Sequence, residues 1–398
     1  MIGCWLNSPD DSTFEEIAKL IVNRGPISFE TFMEHVLYSP NGFYSMKGRI
    51  GAKGDYFTSP SLHPVFGSFL AVQIYTMWKV LQRPCPFALV EFGSGDGLLA
   101  KALLDTISFL DKDFEYSCEY FSIDRFHSSE VPYLKKFLVG NEMPITNAKG
   151  VVFSNELIDA LPVRLIEVSD GKILEVFLGL SSENTLMEIL KPPQLPLPDH
   201  ISERDISSLE GYRGPVNDRL IEWYGQLSNI LESGFVITID YGFNQNEYYS
   251  MENSKKLIQT YYKHVQGSSP YQRIGRQDIT AHADFSALRF VGEKNGFLNV
   301  YQTTQRKWLV NLGFDEWIQS EVTNGNLSRS MEMLINNHVD PNGLGKFQVL
   351  IQHKGLNLID KHQSTVSQQL ASGFRVPEVT DEYIAYRLTG SELDTHSY

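Results

Sequence analysis

Hydrophobic positions along this chain fall into two alternating patterns. Short unbroken apolar runs end in polar or glycine-rich turns, and longer stretches repeat apolar residues at helical spacing. Phe87–Phe92, interrupted only by Glu91, reads as a strand buried on both faces, and Leu98, Leu99, Leu103 and Leu104 mark one face of the helix behind it. Further runs at Tyr120–Ile123, Gly150–Ser154, Phe235–Ile239 and Phe347–Ile351 predict four more core strands. Helical stripes lie over Phe14–Val22, Ser28–Leu37, Val65–Leu81, Ser128–Val139, Pro215–Leu231 and Phe285–Asn295. Strands alternating with helices predict an α/β fold built on a mostly parallel twisted sheet flanked by helices.

Three regions follow from the same pattern. Residues 1–86 form a helical region with a loop rich in glycine, lysine and aromatics from Ser39 to Pro60. Residues 87–355 carry the core, with segments at about 165–233 and 243–297 inserted after the third and fourth strands. Within the first insertion, Leu165–Val168 and Ile173–Gly179 read as a hairpin turning at Asp170-Gly171, and Lys191–Pro198 as an extended loop. Residues 356–398 lose the apolar periodicity and read as a poorly packed tail.

Composition narrows the partners. With 48 acidic against 34 basic residues the chain carries a formal charge of −14, which disfavours nucleic acid and suits a cationic partner. The most apolar neighbourhood, Phe66–Trp78, is broken by Gly67, Ser68, Gln73 and Thr76, so no membrane insertion is expected. Cys4, Cys85 and Cys118 are too few and too scattered for a disulfide framework or a zinc knuckle. Met1–Asp11 has neither a basic segment leading into an apolar core nor an arginine-rich amphipathic stretch, so a cytoplasmic location is expected.

Chemistry concentrates where the strands end. Gly93-Ser94-Gly95-Asp96-Gly97 follows the first core strand, and glycines at such a turn let a ligand approach the main chain. A dinucleotide fingerprint needs a glycine three residues after Gly95, where Leu98 stands, and no G-K-[ST] makes a phosphate loop. An acid two residues before the first glycine, Glu91, followed by G-x-G-x-G, resembles the first motif of class I S-adenosylmethionine-dependent methyltransferases. Asp124 ends the second strand, where a carboxylate can accept both ribose hydroxyls or else cap the next helix. The third strand opens into Asn155-Glu156-Leu157-Ile158-Asp159-Ala160-Leu161-Pro162, and the fourth into Asp240-Tyr241-Gly242.

Four more segments carry a family resemblance: Gly25-Pro26-Ile27-Ser28-Phe29 with Phe32-Met33-Glu34; Gly54-Asp55-Tyr56-Phe57-Thr58-Ser59-Pro60 with Phe66-Gly67; Asn155-Glu156 with Asp159-Ala160-Leu161-Pro162-Val163; and Gln277-Asp278-Ile279-Thr280-Ala281-His282-Ala283-Asp284-Phe285. With the glycine turn, these resemble the MidA-like methyltransferases, whose mitochondrial members are protein-arginine methyltransferases assisting assembly of respiratory complex I. The resemblance covers about residues 20–355. It implies a class I methyltransferase (Rossmann-like) fold with S-adenosylmethionine as donor, and arginine of a partner protein, such as a respiratory-complex subunit, as acceptor. Lys256-Leu257-Ile258 departs from the family pattern, which has Gly-Thr there, and the tail after Gly355 matches nothing in it.

Under that resemblance Thr58, Glu91, Gly93, Ser94, Gly95, Gly97, Asp124 and Asn155 are the expected cofactor contacts. Methyl transfer from a sulfonium needs alignment and water exclusion, not a metal or covalent nucleophile. The segment Gly54–Ser59 is then either a lid or a packing loop. A guanidinium acceptor calls for bidentate carboxylates, for which Glu156, Asp159 and Asp278 are the candidates, although Asp159 equally suits a turn cap. His282 is a candidate for taking the acceptor's proton, with Asp284 either orienting it or capping the following helix. An assembly protein that keeps the cofactor fold with little turnover, and a small-molecule methyltransferase, remain alternative readings.

Overall fold

The computed structural model describes residues 12–46, 58–125, 136–139, 145–202, 205–356, 374–379 and 383–384, and no side chains at 136–139. Gly54, Asp55, Tyr56 and Phe57, residues 128–135 of the helix expected over Ser128–Val139, and most of the tail lie outside them.

Seven strands form the central sheet: β1 (Phe87–Phe92), β2 (Cys118–Asp124), β3 (Lys136–Val139), β4 (Ala148–Asn155), β5 (Leu231–Asp240), β6 (Leu298–Thr304) and β7 (Gln348–Lys354). Their order across the sheet is β6-β7-β5-β4-β1-β2-β3, and β7 runs antiparallel to both its neighbours. Side chains alternate between two cores, as a period of two requires. Phe87 and Leu89 of β1, Val151 and Phe153 of β4, and Phe235, Ile237 and Ile239 of β5 face the first. Ala88, Val90, Val152 and Val236 face the second. Helices α3 (Val65–Val80) and α4 (Leu98–Leu110) cover the first face; α5 (Arg219–Ile230) and α6 (Phe285–Lys294) cover the second.

The first insertion is an antiparallel sheet of Arg164–Ser169, Lys172–Leu180, Leu186–Lys191 and Arg213–Val216. Its hairpin turns at Asp170 and Gly171, both at positive φ (52° and 66°), as a two-residue turn demands. Helices α1 (Ser12–Arg24) and α2 (Phe29–Tyr38) do not stand apart. Phe29, Phe32, Met33, Val36 and Leu37 pack on Val163, Leu165, Val176 and Leu178 of the insertion.

Three readings of the pattern need correction, and two strands escaped it. Lys136–Val139, expected as the end of a helix, pairs with β2 as the parallel edge strand β3. The helix expected from Pro215 begins at Arg219, because Arg213–Val216 is taken up in a ladder with Arg164–Glu167. Leu186–Lys191 and Leu298–Thr304 are strands whose partly exposed residues interrupt the apolar run. The tail is not wholly unpacked: Phe374 lies 5.0 Å from the Phe69 ring and Tyr383 is 2% exposed in the first core.

Candidate active site

Register aligns the carboxyl ends of the parallel strands. Phe92 pairs with Ile123 and with Ser154, and Asn155 with Ile239, so the segments beginning at Gly93, Asp124, Asn155 and Asp240 share one edge. The chain leaves β1 for β2 on one side, and β4 continues on the other. The glycine turn therefore stands at the crevice where strand order reverses.

The turn needs its glycines. Gly93, Gly95 and Gly97 sit at φ of 73°, 51° and 80°, and Gly97 is the N-cap residue of α4. A Cβ on Gly93 would lie 3.1 Å from Leu157 Cδ1, which places the turn against the residue after Glu156. Asp124 Oδ2 accepts the Gly95 N–H at 2.9 Å, so this carboxylate braces the turn from the next strand. Glu91 is buried beneath, where Tyr120 donates its hydroxyl to Oε2; burial pushes the carboxyl up to about 8. Ser94 Oγ and Asn155 Oδ1 are buried without a hydrogen-bond partner among the described residues. Two orphaned polar atoms and a bare backbone turn at one crevice fit a polar ligand.

Beside the turn lies a cluster of carboxyl groups. Glu156 takes φ 51°, a left-handed conformation that costs a non-glycine residue about 1–3 kcal/mol and is held by its N–H donating to Ile239 O at 2.9 Å. Asn155 Nδ2 donates to Glu156 Oε1 at 3.0 Å, and the Ser59 N–H faces the same carboxylate. Glu156 keeps some solvent contact, yet loss of water, then Asp159 and Asp278, raise it to about 8. Asp159 is 5% exposed and burial raises it to about 6. Asp240 is fully buried and raised well above the carboxylate range by burial and by Asp159 and Glu156; its oxygens accept the N–H groups of Ile158 (2.8 Å), Asp159 (3.3 Å) and Tyr241 (2.8 Å). Asp278 is 1% exposed and accepts the Tyr44 hydroxyl at 2.9 Å. Among the described residues, no cation acts on Glu156, Asp159 or Asp240.

Aromatic residues border the carboxyls. Tyr38 and Tyr44 lie 5.3 Å apart at 31°, and the Tyr38 hydroxyl donates to Ala160 O at 2.7 Å. Tyr261 is close enough to feel Asp159, Asp278 and Glu156. His282 is stacked on Phe243 (5.2 Å, 2°) and meets Tyr241 edge-on at 4.9 Å, while Nδ1–H faces the Leu257 carbonyl at 3.3 Å. Burial pulls it down to about 4, so it is a weaker base than a near-neutral histidine. Asp284 is the N-cap of α6, accepting the N–H groups of Ser286 (2.9 Å) and Ala287 (3.1 Å); of the two readings for it, the structure has the cap. Thr58 donates its N–H to Ser61 Oγ at 2.9 Å, starting the turn that brings Ser59 to Glu156.

Glu156, Asp159 and Asp278 thus come together, with His282 one ring away behind Tyr241. Sequence reasoning passed over Tyr38, Tyr44 and Asp240 as site residues. Asp240 had a signal, an acid ending a parallel strand, whereas nothing local ties Tyr44 to Asp278, 234 positions on. No group of histidine, cysteine and acidic residues able to hold a metal occurs among the described residues, nor any helix long and apolar enough to cross a membrane.

A six-parallel, one-antiparallel sheet with a glycine turn at its switch point defines a class I methyltransferase fold. The model of a family described as "Putative S-adenosyl-L-methionine-dependent methyltransferase" matches residues 69–304, more than half of the chain, and the chain belongs to that family. Its methyl donor is S-adenosylmethionine. At 24% identity over 322 residues (72% of this chain, 71% of the relative) it resembles the Drosophila melanogaster protein arginine methyltransferase NDUFAF7 homolog, mitochondrial. The Homo sapiens protein arginine methyltransferase NDUFAF7, mitochondrial, is 23% identical over 378 residues, covering 84% and 82%. A solved structure from Burkholderia thailandensis, bound to S-adenosyl-homocysteine, superposes with a TM-score of 0.77 at 24% identity over 89% of this chain and 96% of that one. The relatives correct one expectation: both carry mitochondrial names, which overturns a cytoplasmic location.

Proposed function

We propose that this protein transfers a methyl group from S-adenosylmethionine to an arginine side chain of a partner protein. The observation that carries this reading is the group of acids at the sheet edge, Glu156, Asp159 and Asp240, on which no cation among the described residues acts. Desolvated carboxyls without a counter-ion favour a cationic ligand, and a guanidinium's planar fork matches paired carboxylates. The names of the curated relatives support the same acceptor, and the family resemblance favours a respiratory-complex subunit as the partner.

In this reading Gly93, Gly95 and Gly97, with Glu91, Ser94, Asp124, Thr58 and Asn155 around them, hold the cofactor. The cofactor supplies an electrophilic methyl on a sulfonium. Glu156 and Asp278 pair with the guanidinium and hold its nitrogen in line with that methyl, while the aromatic border keeps water out. His282 supports the site through its contact with Tyr241.

Mass spectrometry of the proteome from cells with and without the gene tests this. Arginine methylation on at least one protein is expected to vanish without the gene. It should return with the wild-type chain and not with Gly95→Val, whose branched side chain blocks approach to the backbone. An unchanged arginine-methyl inventory contradicts the reading.

A further inference from the structure

We infer that Asp159 is a catalytic residue, the group that takes up the proton released when the acceptor guanidinium is methylated. The inference rests on the arginine reading above. A guanidinium and a sulfonium enter; a methylguanidinium, a neutral thioether and one proton leave. The S–CH3 bond breaks with its electron pair staying on sulfur, an N–CH3 bond forms, and the N–H bond of that nitrogen breaks. Something at the site must receive that proton, since arginine does not lose it unaided at neutral pH.

The other acids are already engaged. Asp240 spends both oxygens on backbone N–H groups of Ile158, Asp159 and Tyr241. Asp278 accepts the Tyr44 hydroxyl, and Glu156 accepts the Asn155 amide. His282 has its Nδ1 turned to Leu257 O and its ring stacked on Phe243. Asp159 differs in its setting: the side chain is 5% exposed with Oδ1 buried, and besides backbone N–H groups of its own turn it meets the Tyr241 hydroxyl. The Tyr241 hydroxyl in turn meets the Thr280 hydroxyl. Carboxyl, phenol and hydroxyl thus form a line suited to receiving a proton and passing it on. Backbone ties hold the line: the Ala281 N–H donates to Asp159 O at 2.8 Å, and the Ala283 N–H to Tyr241 O at 3.0 Å.

Titration supports the assignment. The ionisable groups facing Asp159 are Glu156 on its own turn, Asp240 and Tyr241 from β5, Asp278 and Tyr261 from the second insertion, and Tyr38 from α2. Burial raises Asp159 to about 6, and the Tyr241 hydroxyl opposes that rise. At pH 7 to 8 the carboxylate is therefore ionised and basic enough to accept.

The test uses the full chain, isotopically methyl-labelled S-adenosylmethionine and protein extract from cells lacking the gene, reading label on arginine against pH. Besides the Glu156 titration near 8, wild type is expected to show an acidic limb near pH 6. Asp159→Asn should lower the rate at least tenfold and lose that limb, with cofactor affinity retained. Asp159→Glu should recover part of the rate. Tyr241→Phe removes the group that holds Asp159 down, so its limb should move to higher pH; Glu156 is not among Tyr241's neighbours, so its own titration should stay put. If Asp159→Asn labels arginine at the wild-type rate, or Tyr241→Phe leaves the limb in place, the assignment to Asp159 falls. If wild-type protein labels no arginine, the arginine reading falls, and this inference with it.

Discussion

Glu91 shows how far one side chain's environment departs from what its neighbours in sequence suggest. It interrupts an apolar strand, is 2% exposed, and is raised to about 8 chiefly by burial. The unfolded chain titrates near 4.3, so between about 4.3 and 8 the folded state binds the extra proton. This group's contribution to stability is full below the unfolded value and is lost as pH rises through about 8. Glu91→Gln keeps the shape and the contact with Tyr120 but removes the titration. Urea unfolding from about pH 5 to about pH 8 should give a flatter stability profile in the variant. An unaltered slope would show that Glu91 is ionised in the fold. The sequence marked Glu91 as a cofactor contact from motif spacing alone; that it is buried against Tyr120 depends on the β1–β2 register, which spacing does not state.

At the scale of elements, legibility follows burial on both faces. Strands β1, β4 and β5 and helices α3, α4 and α6 lie close to their expected bounds, because each carries an apolar pattern of its own. Strands β3 and β6 and the strand Leu186–Lys191 escaped, being edge or half-exposed elements defined by pairing rather than by hydrophobicity. Asp284 belongs at this scale. It caps α6 and also accepts the Tyr249 hydroxyl at 2.8 Å, which joins the second insertion to the core. Asp284→Ala should cost about 1–2 kcal/mol of stability by denaturant unfolding, with cofactor affinity retained. A loss of cofactor binding in the folded variant would mean that Asp284 acts on the site and not only on its helix.

Over the whole molecule, the site is assembled from parts distant in sequence: tyrosines at and just past the end of α2, the turn after β4, the end of β5, and Asp278 from the second insertion. The glycine turn and its acids were legible because they are local to two βα units. The acid cluster was legible only as separate positions, since the packing of α1 and α2 on the insertion sheet, which carries Tyr38 and Tyr44 to the carboxyls, has no local signature. The net charge of −14 agrees with a cationic acceptor but does not select one.

In the function proposed above, this assembled acidic site receives a guanidinium beside the methyl donor. Glu156→Gln removes the ionisable group and little shape at the residue joining the glycine turn to the acid cluster. Cofactor affinity by calorimetry should be nearly unchanged, while transfer of labelled methyl to arginine in extract from cells lacking the gene should fall by about a hundredfold or more, since orientation and charge pairing supply much of the rate. A Glu156→Gln protein that binds cofactor and labels arginine as fast as wild type would contradict the account.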